Sequence, residues 1–131
     1  TGISPHAPYT VSAPLLVLLT DFAIEQRLQM MMHAAESKAE RLFVQDGAGA
    51  FASNLEQRGV ESRARGVSTI QYLKSVGLLR ARPLLAHCID VDEYDIETIS
   101  ASGSGVAHCP KSNSKFGHGR APFASFVLEK A

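Results

Sequence analysis

The sequence predicts an α/β fold, specifically part of a (β/α)8 barrel of about four successive units. Three observations lead there. First, four of the five histidines follow short apolar or turn-forming runs that read as strands: His6 after Gly-Ile-Ser-Pro, His33 after residues 28–32, His87 after 83–86 and His108 after 105–107. Second, the intervals between them are 27, 54 and 21 residues. A barrel unit averages roughly 31 residues, so two intervals fit single units and the long one fits a unit with an insertion. Third, the segments between these runs carry helical periodicity and helix-start signals. In parallel α/β folds the C-terminal strand edge is where ligands and metals bind, so the histidines mark a shared rim.

Each element has its own justification. After Pro5-His6-Ala7-Pro8, Ser12 is a good N-cap and Pro14 suits the first turn. Leu15, Leu16, Leu18, Leu19, Phe22 and Ala23 then give a helical apolar face to about Arg27. Residues 28–32, Leu-Gln-Met-Met-Met, read as an apolar run broken only by Gln29, expected for a strand buried on both faces. Ser37-Lys38-Ala39-Glu40 has capping-box form, and Asp46-Gly47-Ala48-Gly49 breaks the helix it starts. Residues 51–57 read as a short helix stopped by Gly59, and 60–67 as polar loop. Ser68-Thr69-Ile70-Gln71 opens a helix with Ile70, Leu73 and Val76 on one side, ended by Gly77. Residues 82–87 are the next strand, 92–100 a helix closed by Gly103, and 105–108 a strand. Residues 110–120 read as a polar, glycine-containing loop before a last helix over 121–129.

Composition narrows the function classes. A 131-residue chain with 45% hydrophobic residues, 20% charged residues and no net charge is typical of a soluble globular domain. No basic stripe suggests nucleic acid. No apolar run approaches the roughly 20 residues that span a bilayer, and no secretory leader is visible. Cys88 and Cys109 are too few for a disulfide scaffold and read as free thiols of a cytoplasmic protein. No linker divides residues 1–131, which form one domain or one segment of one. The chain starts at Thr1 without methionine and stops at Ala131 within a helical pattern, so both ends read as cuts. Half a barrel leaves open parallel edges. The expectation is a segment of a larger barrel, or a chain completed by another chain or copy.

The residues able to carry chemistry cluster at the predicted rim. His33 with Glu36 three residues later places an imidazole beside a carboxylate on a strand-to-helix turn. A neutral imidazole can ligate a metal, and a nearby non-ligating glutamate can shuttle protons. Equally, such a glutamate can simply favour the helix dipole. His87 is either a rim ligand or a strand-end histidine bonded to backbone. His6, between Pro5 and Pro8, sits on a rigid turn suited to substrate contact or to structure alone. His108-Cys109-Pro110-Lys111-Ser112-Asn113 supplies donors and acceptors in a tight loop, and His118 between Gly117 and Gly119 reads as a loop histidine or a substrate contact. Tyr9 and Phe116 could stack on a planar ligand, with core packing as the alternative.

Taken together, Ser4-Pro5-His6-Ala7-Pro8-Tyr9-Thr10, His33-Ala34-Ala35-Glu36, Ala86-His87-Cys88 and Ala107-His108-Cys109-Pro110-Lys111-Ser112-Asn113-Ser114-Lys115-Phe116-Gly117-His118-Gly119 closely resemble the amidohydrolase superfamily. The match is to its aminohydrolase and chlorohydrolase branch, which includes methylthioadenosine/S-adenosylhomocysteine deaminases, aminodeoxyfutalosine deaminases and triazine hydrolases. The resemblance spans essentially the whole chain and implies strands four to seven of the barrel. It implies His33 as a ligand of one divalent metal, zinc with iron or manganese as alternatives. Glu36 is then the acid/base and a substrate contact, His87 orients the metal-activated hydroxide, and His6 contacts the substrate. The implied activity is hydrolysis of a non-peptide C–N bond, foremost deamination of an adenine-type nucleoside. Chlorohydrolase chemistry, another cyclic C–N hydrolysis and a non-catalytic barrel-like scaffold are the alternatives. The His-x-His pair expected after the first strand and the aspartate expected after the eighth are absent from this sequence. The isolated segment is therefore expected to bind metal weakly and to be inactive.

Overall fold

The structure, a computed structural model, describes residues 1–130. Ala131, read from the sequence as lying in the last helix, is outside the described residues. Four strands, β1 (Gly2–Ile3), β2 (Gln29–Ala34), β3 (Leu84–His87) and β4 (Gly105–Ala107), form one parallel sheet in chain order. Consecutive strands are therefore neighbours, as barrel winding demands. The register pairs Gly2 with Gln29, Met31 with Leu84, His33 with Ala86, and Ala86 with Ala107. Between the strands run α1 (Ala13–Glu25), then α2 (Lys38–Asp46), α3 (Ala50–Glu56), α4 (Thr69–Ser75) and a 3₁₀ turn (Leu78–Ala81), then α5 (Glu93–Ser102). After β4 come α6 (Pro110–Lys115) and α7 (Phe123–Glu129).

The long β2–β3 connection holds the insertion that the histidine spacing anticipated, as α2, α3, the 57–67 loop and α4. Its 3₁₀ turn was not anticipated: Leu78 and Leu79 are buried, and Gly77, in the left-handed region at φ 79°, starts it. One face of the sheet packs on the helices through Leu16, Met30, Met32, Ile70, Leu73, Leu85 and Ile99. The other face is open, and here two expectations need correction. β2 is not buried on both faces: Met30, Met32 and Ala34 are buried, while Gln29 and Met31 are exposed. The alternation follows from the pleat, because residues two apart share a face and the barrel axis side is uncovered. Along α1, Leu16, Thr20 and Ala23 are buried with Leu19 half-buried, whereas Leu15, Leu18 and Phe22 are exposed. A 13-residue helix at one layer's edge covers only a narrow stripe, and Thr20 fits it because its hydroxyl donates to the Leu16 carbonyl at 2.7 Å.

The 110–120 segment is also corrected, since its first half is the helix α6 rather than loop. Pro110 sits in the first helical turn, where a missing N–H costs nothing. The Asn113 N–H donates to the Cys109 carbonyl at 2.9 Å. Gly117 and Gly119, at φ 68° and 103°, then turn the chain back over the rim. Both cysteines are free, and burial pushes the Cys88 thiol up from its usual range. Among the described residues no helix is long and apolar enough to cross a membrane.

Candidate active site at the C-terminal strand edge

The rim assembles from the turns after β1, β2 and β3. His33 shares a strand face with Gln29 and Met31, so its ring projects on the open side, half-buried at the strand's end. The His6 carbonyl accepts both the His33 backbone N–H and its Nδ1–H, each at 3.0 Å. That fixes the His33 tautomer and leaves Nε2 with a free lone pair. Two close contacts with one carbonyl also lock β1's end to β2's. Pro5 and Pro8 are buried, and His6 itself is exposed, its Nδ1 2.8 Å from the Thr10 hydroxyl. The rings of His6 and His33 lie 5.2 Å apart, and those of His33 and His87 5.5 Å.

His87 ends β3 in the left-handed region at φ 76° and is almost fully buried. Its Nδ1 lies 2.8 Å from the Oδ1 of Asn113, a buried residue on α6. With Nδ1–H so engaged, Nε2 faces the Glu36 carboxylate, 3.5 Å from Oε1. On the other side, the Nε2 of His118 is 3.8 Å from the same oxygen. Glu36 thus lies between two imidazoles that can each give or take a proton. One residue of α6 prepares both, since the Asn113 carbonyl accepts the His118 N–H at 3.0 Å.

The predicted residues His6, His33, Glu36 and His87 do converge. His108 does not join them: it is exposed, with its ring 5.5 Å from that of Phe123. His118 occupies the rim instead. The sequence puts Asn113 among the donors and acceptors of a loop over 110–120 and does not identify His87 as its partner. Placing Pro110 at the start of a helix would have put Asn113 one turn in, facing the sheet. Beside Glu36, a cavity of about 550 Å³ is lined by Tyr9, Ser37, Lys38, Phe51 and His118. Tyr9 and Phe51 stack on each other, centroids 4.3 Å apart, so the Tyr9 ring already has an aromatic partner. Burial, with the nearby charges of Glu40 and Glu36, pushes the Tyr9 hydroxyl above its usual range. Phe116 is exposed, its ring 5.8 Å from that of His118.

The donor set fits a metal in part. His33 offers one correctly prepared nitrogen ligand. Among the described residues, however, no group of three or more His, Cys, Asp or Glu is arranged to hold an ion. A full coordination shell needs donors beyond them.

Comparison with known proteins finds relatives named as deaminases. The chain is 35% identical to the aminodeoxyfutalosine deaminase of Deinococcus radiodurans, over 86% of this chain and 29% of that protein. It is 34% identical to the 5-methylthioadenosine/S-adenosylhomocysteine deaminase of Pelotomaculum thermopropionicum, over 94% of this chain and 24% of the relative. The chain thus spans about a quarter of the curated relatives it matches. An adenosine deaminase from Xanthomonas campestris, solved with bound zinc, superposes on all of this chain and 26% of its own, with a TM-score of 0.78 and 24% identity. At that identity the likeness is one of fold, and it agrees with the four-stranded parallel sheet being part of a (β/α)8 barrel. A family profile, Amidohydrolase family, matches residues 1–131, and the chain belongs to that family.

Proposed function

We propose that this chain is the segment of a metal-dependent aminohydrolase that carries its proton-transfer groups, and that the whole protein deaminates an adenine-type nucleoside. The observation that supports this most is the placement of Glu36 Oε1 between the Nε2 atoms of His87 and His118, beside His33 with its Nδ1 engaged. The names of two relatives at 34–35% identity, an aminodeoxyfutalosine deaminase and a 5-methylthioadenosine/S-adenosylhomocysteine deaminase, point the same way. His33 would contribute one ligand to a divalent cation, zinc foremost, which when bound supplies activation of water at neutral pH.

The geometry supports the following roles for the chain's own residues. Water adds to the ring carbon that bears the amine, forming a C–O bond. Glu36 accepts one proton from that water and delivers it to the ring nitrogen, then takes the second from the added hydroxyl and delivers it to the amine as the C–N bond breaks. Ammonia departs and a ring carbonyl remains, with one water consumed. His87, held by Asn113, presents Nε2 to the attacking oxygen and balances the charge that develops there. His6, on its proline-braced turn, positions the substrate. The 550 Å³ cavity has room for part of a nucleoside next to Glu36. The free thiols suit a cytoplasmic protein.

The test is product analysis of the intact enzyme against aminated and chlorinated heterocycles. Ammonia released from an adenine nucleoside is the expected result. Chloride release without ammonia would assign the site to dehalogenation.

A further inference from the structure

Glu36 lies on the turn after β2 and His87 ends β3, and one feature of α2 holds both this turn and the one that follows His87. Glu40 lies in the first turn of that helix and is fully buried. Its Oε1 accepts the Ala35 N–H at 2.8 Å and its Oε2 the Glu36 N–H at 2.9 Å. A glutamate at this helix position ordinarily reaches back to the N-cap N–H. Here Ser37 is the N-cap, its hydroxyl accepts the Glu40 N–H at 3.3 Å, and the Glu40 carboxylate passes over it to the two residues before. Ala35 is at φ 52°, a left-handed conformation that a residue with a Cβ keeps only when its surroundings impose it.

The same turn grips the next one. The Ala35 carbonyl accepts the N–H groups of Ile89 and Asp90 at 2.8 and 3.0 Å, and the Ala34 carbonyl accepts the Cys88 N–H at 3.0 Å. His87 and Cys88 are themselves at positive φ, 76° and 45°. Arg41, next along α2, donates to the Asp90 carbonyl at 3.1 Å. Its Nε also lies 3.0 Å from Asp90 Oδ2, an ion pair rather than an aligned hydrogen bond. The backbone after His87 therefore hangs on the backbone before Glu36, and that backbone hangs on Glu40.

We propose that Glu40 is the positioning residue of the catalytic pair: by gripping the Ala35 and Glu36 amides it sets the separation between the Glu36 carboxylate and His87 Nε2. The inference rests on the proton-transfer reading of Glu36 and His87, although the clamp exists whatever the reaction. A carboxyl buried this deeply is a poor choice for stability alone. Its burial pushes it up to about 7, so at neutral pH its charged form is strained against its surroundings. Both of its oxygens nonetheless serve the single turn that carries Glu36.

The experiment compares wild type with Glu40→Gln in the intact enzyme. Glutamine keeps the volume but offers one acceptor, and its NH₂ group faces an N–H. We expect kcat to fall about 10- to 100-fold, the usual effect of losing a group that orients a catalytic one. KM should hold within about twofold, because no substrate contact is removed. Amide hydrogen exchange supplies the readout that a general loss of stability does not mimic. In wild type the Ala35 and Glu36 amides are protected. In the variant they exchange at least about tenfold faster while amides elsewhere in β2 and α2 keep their protection. Unprotected Ala35 and Glu36 amides in wild type overturn the clamp, even if the variant fails to fold. Unchanged kcat in a folded variant, or protection lost evenly across the domain, overturns the positioning role. Should the enzyme release no ammonia from any nucleoside, the deaminase reading fails while the exchange measurement still decides the clamp.

Discussion

Glu40 makes a sharp prediction about stability and pH. Its carboxyl is raised from 4.5 to about 7 in the folded protein, with desolvation as the largest cause and the nearby charge of Glu36 adding to it. The hydrogen bonds from Ala35 and Glu36 pull the other way but do not win. The folded state therefore holds this proton more tightly than the unfolded chain does. The stability contributed by the protonated group is complete below about pH 4.5, declines as pH rises, and is gone above about pH 7. A difference of about 2.5 pKa units at 1.36 kcal/mol each gives a decline of about 3 kcal/mol. Glu40→Gln cannot titrate, so the unfolding free energy of wild type minus that of the variant should fall by about that amount across the window. Cys88 does not blur the comparison, because its thiol is pushed up, away from this range, and is present in both proteins. The assay is urea unfolding of both proteins by circular dichroism, at intervals from about pH 4 to pH 8, with the linear extrapolation. A flat difference curve would refute the reasoning. A curve rising with pH would show that the two N–H donors outweigh burial and that Glu40 is ionised throughout.

Further outcomes follow from the rim and the core. Glu36→Gln should lower kcat by about 10²- to 10⁴-fold, the range for a lost general acid/base, with the circular dichroism spectrum unchanged. Asn113→Ala removes the acceptor of His87 Nδ1–H and should cost about 10- to 100-fold in steady-state kcat/KM, whereas Asn113→Asp, which keeps an acceptor, should retain more. Leu85→Ala, at a fully buried position on the helix-packed face of β3, should destabilise by about 2–5 kcal/mol in denaturant unfolding. In calorimetric titration the isolated 1–131 polypeptide should bind zinc weakly, since His33 alone is prepared as a ligand and no group of three donors is present among the described residues. Tight stoichiometric binding there would contradict this account of the site.

What the sequence shows plainly is where strands end, and what it hides is where loops return. His6, His33 and His87 were legible because each follows a strand-forming run in a parallel sheet, and the strand's direction alone carries its last residue to the rim. The same rule puts His108 just after a strand, where it does stand, but does not bring it into the site. β4 is only Gly105–Ala107, and α6 begins at Pro110, so the chain leaves the sheet before His108 can turn inward. After the six helical residues, Phe116 and Gly117, the chain has turned back, and His118 arrives beside Glu36. No local periodicity announces that return, because it depends on α6 docking Asn113 under His87. Glu40 was misjudged in a related way. Ser-x-x-Glu is a sound capping-box signature, and the Ser37 half of it forms. The Glu40 half is captured by Ala35 and Glu36 because the β2–α2 turn, bent through a left-handed alanine, brings two unpaired amides nearer than the N-cap's own. A capping motif thus becomes the tertiary link between the turn that carries Glu36 and the turn that follows His87. The backbone that needed those amides satisfied is the backbone that carries Glu36, the proposed proton-transfer group.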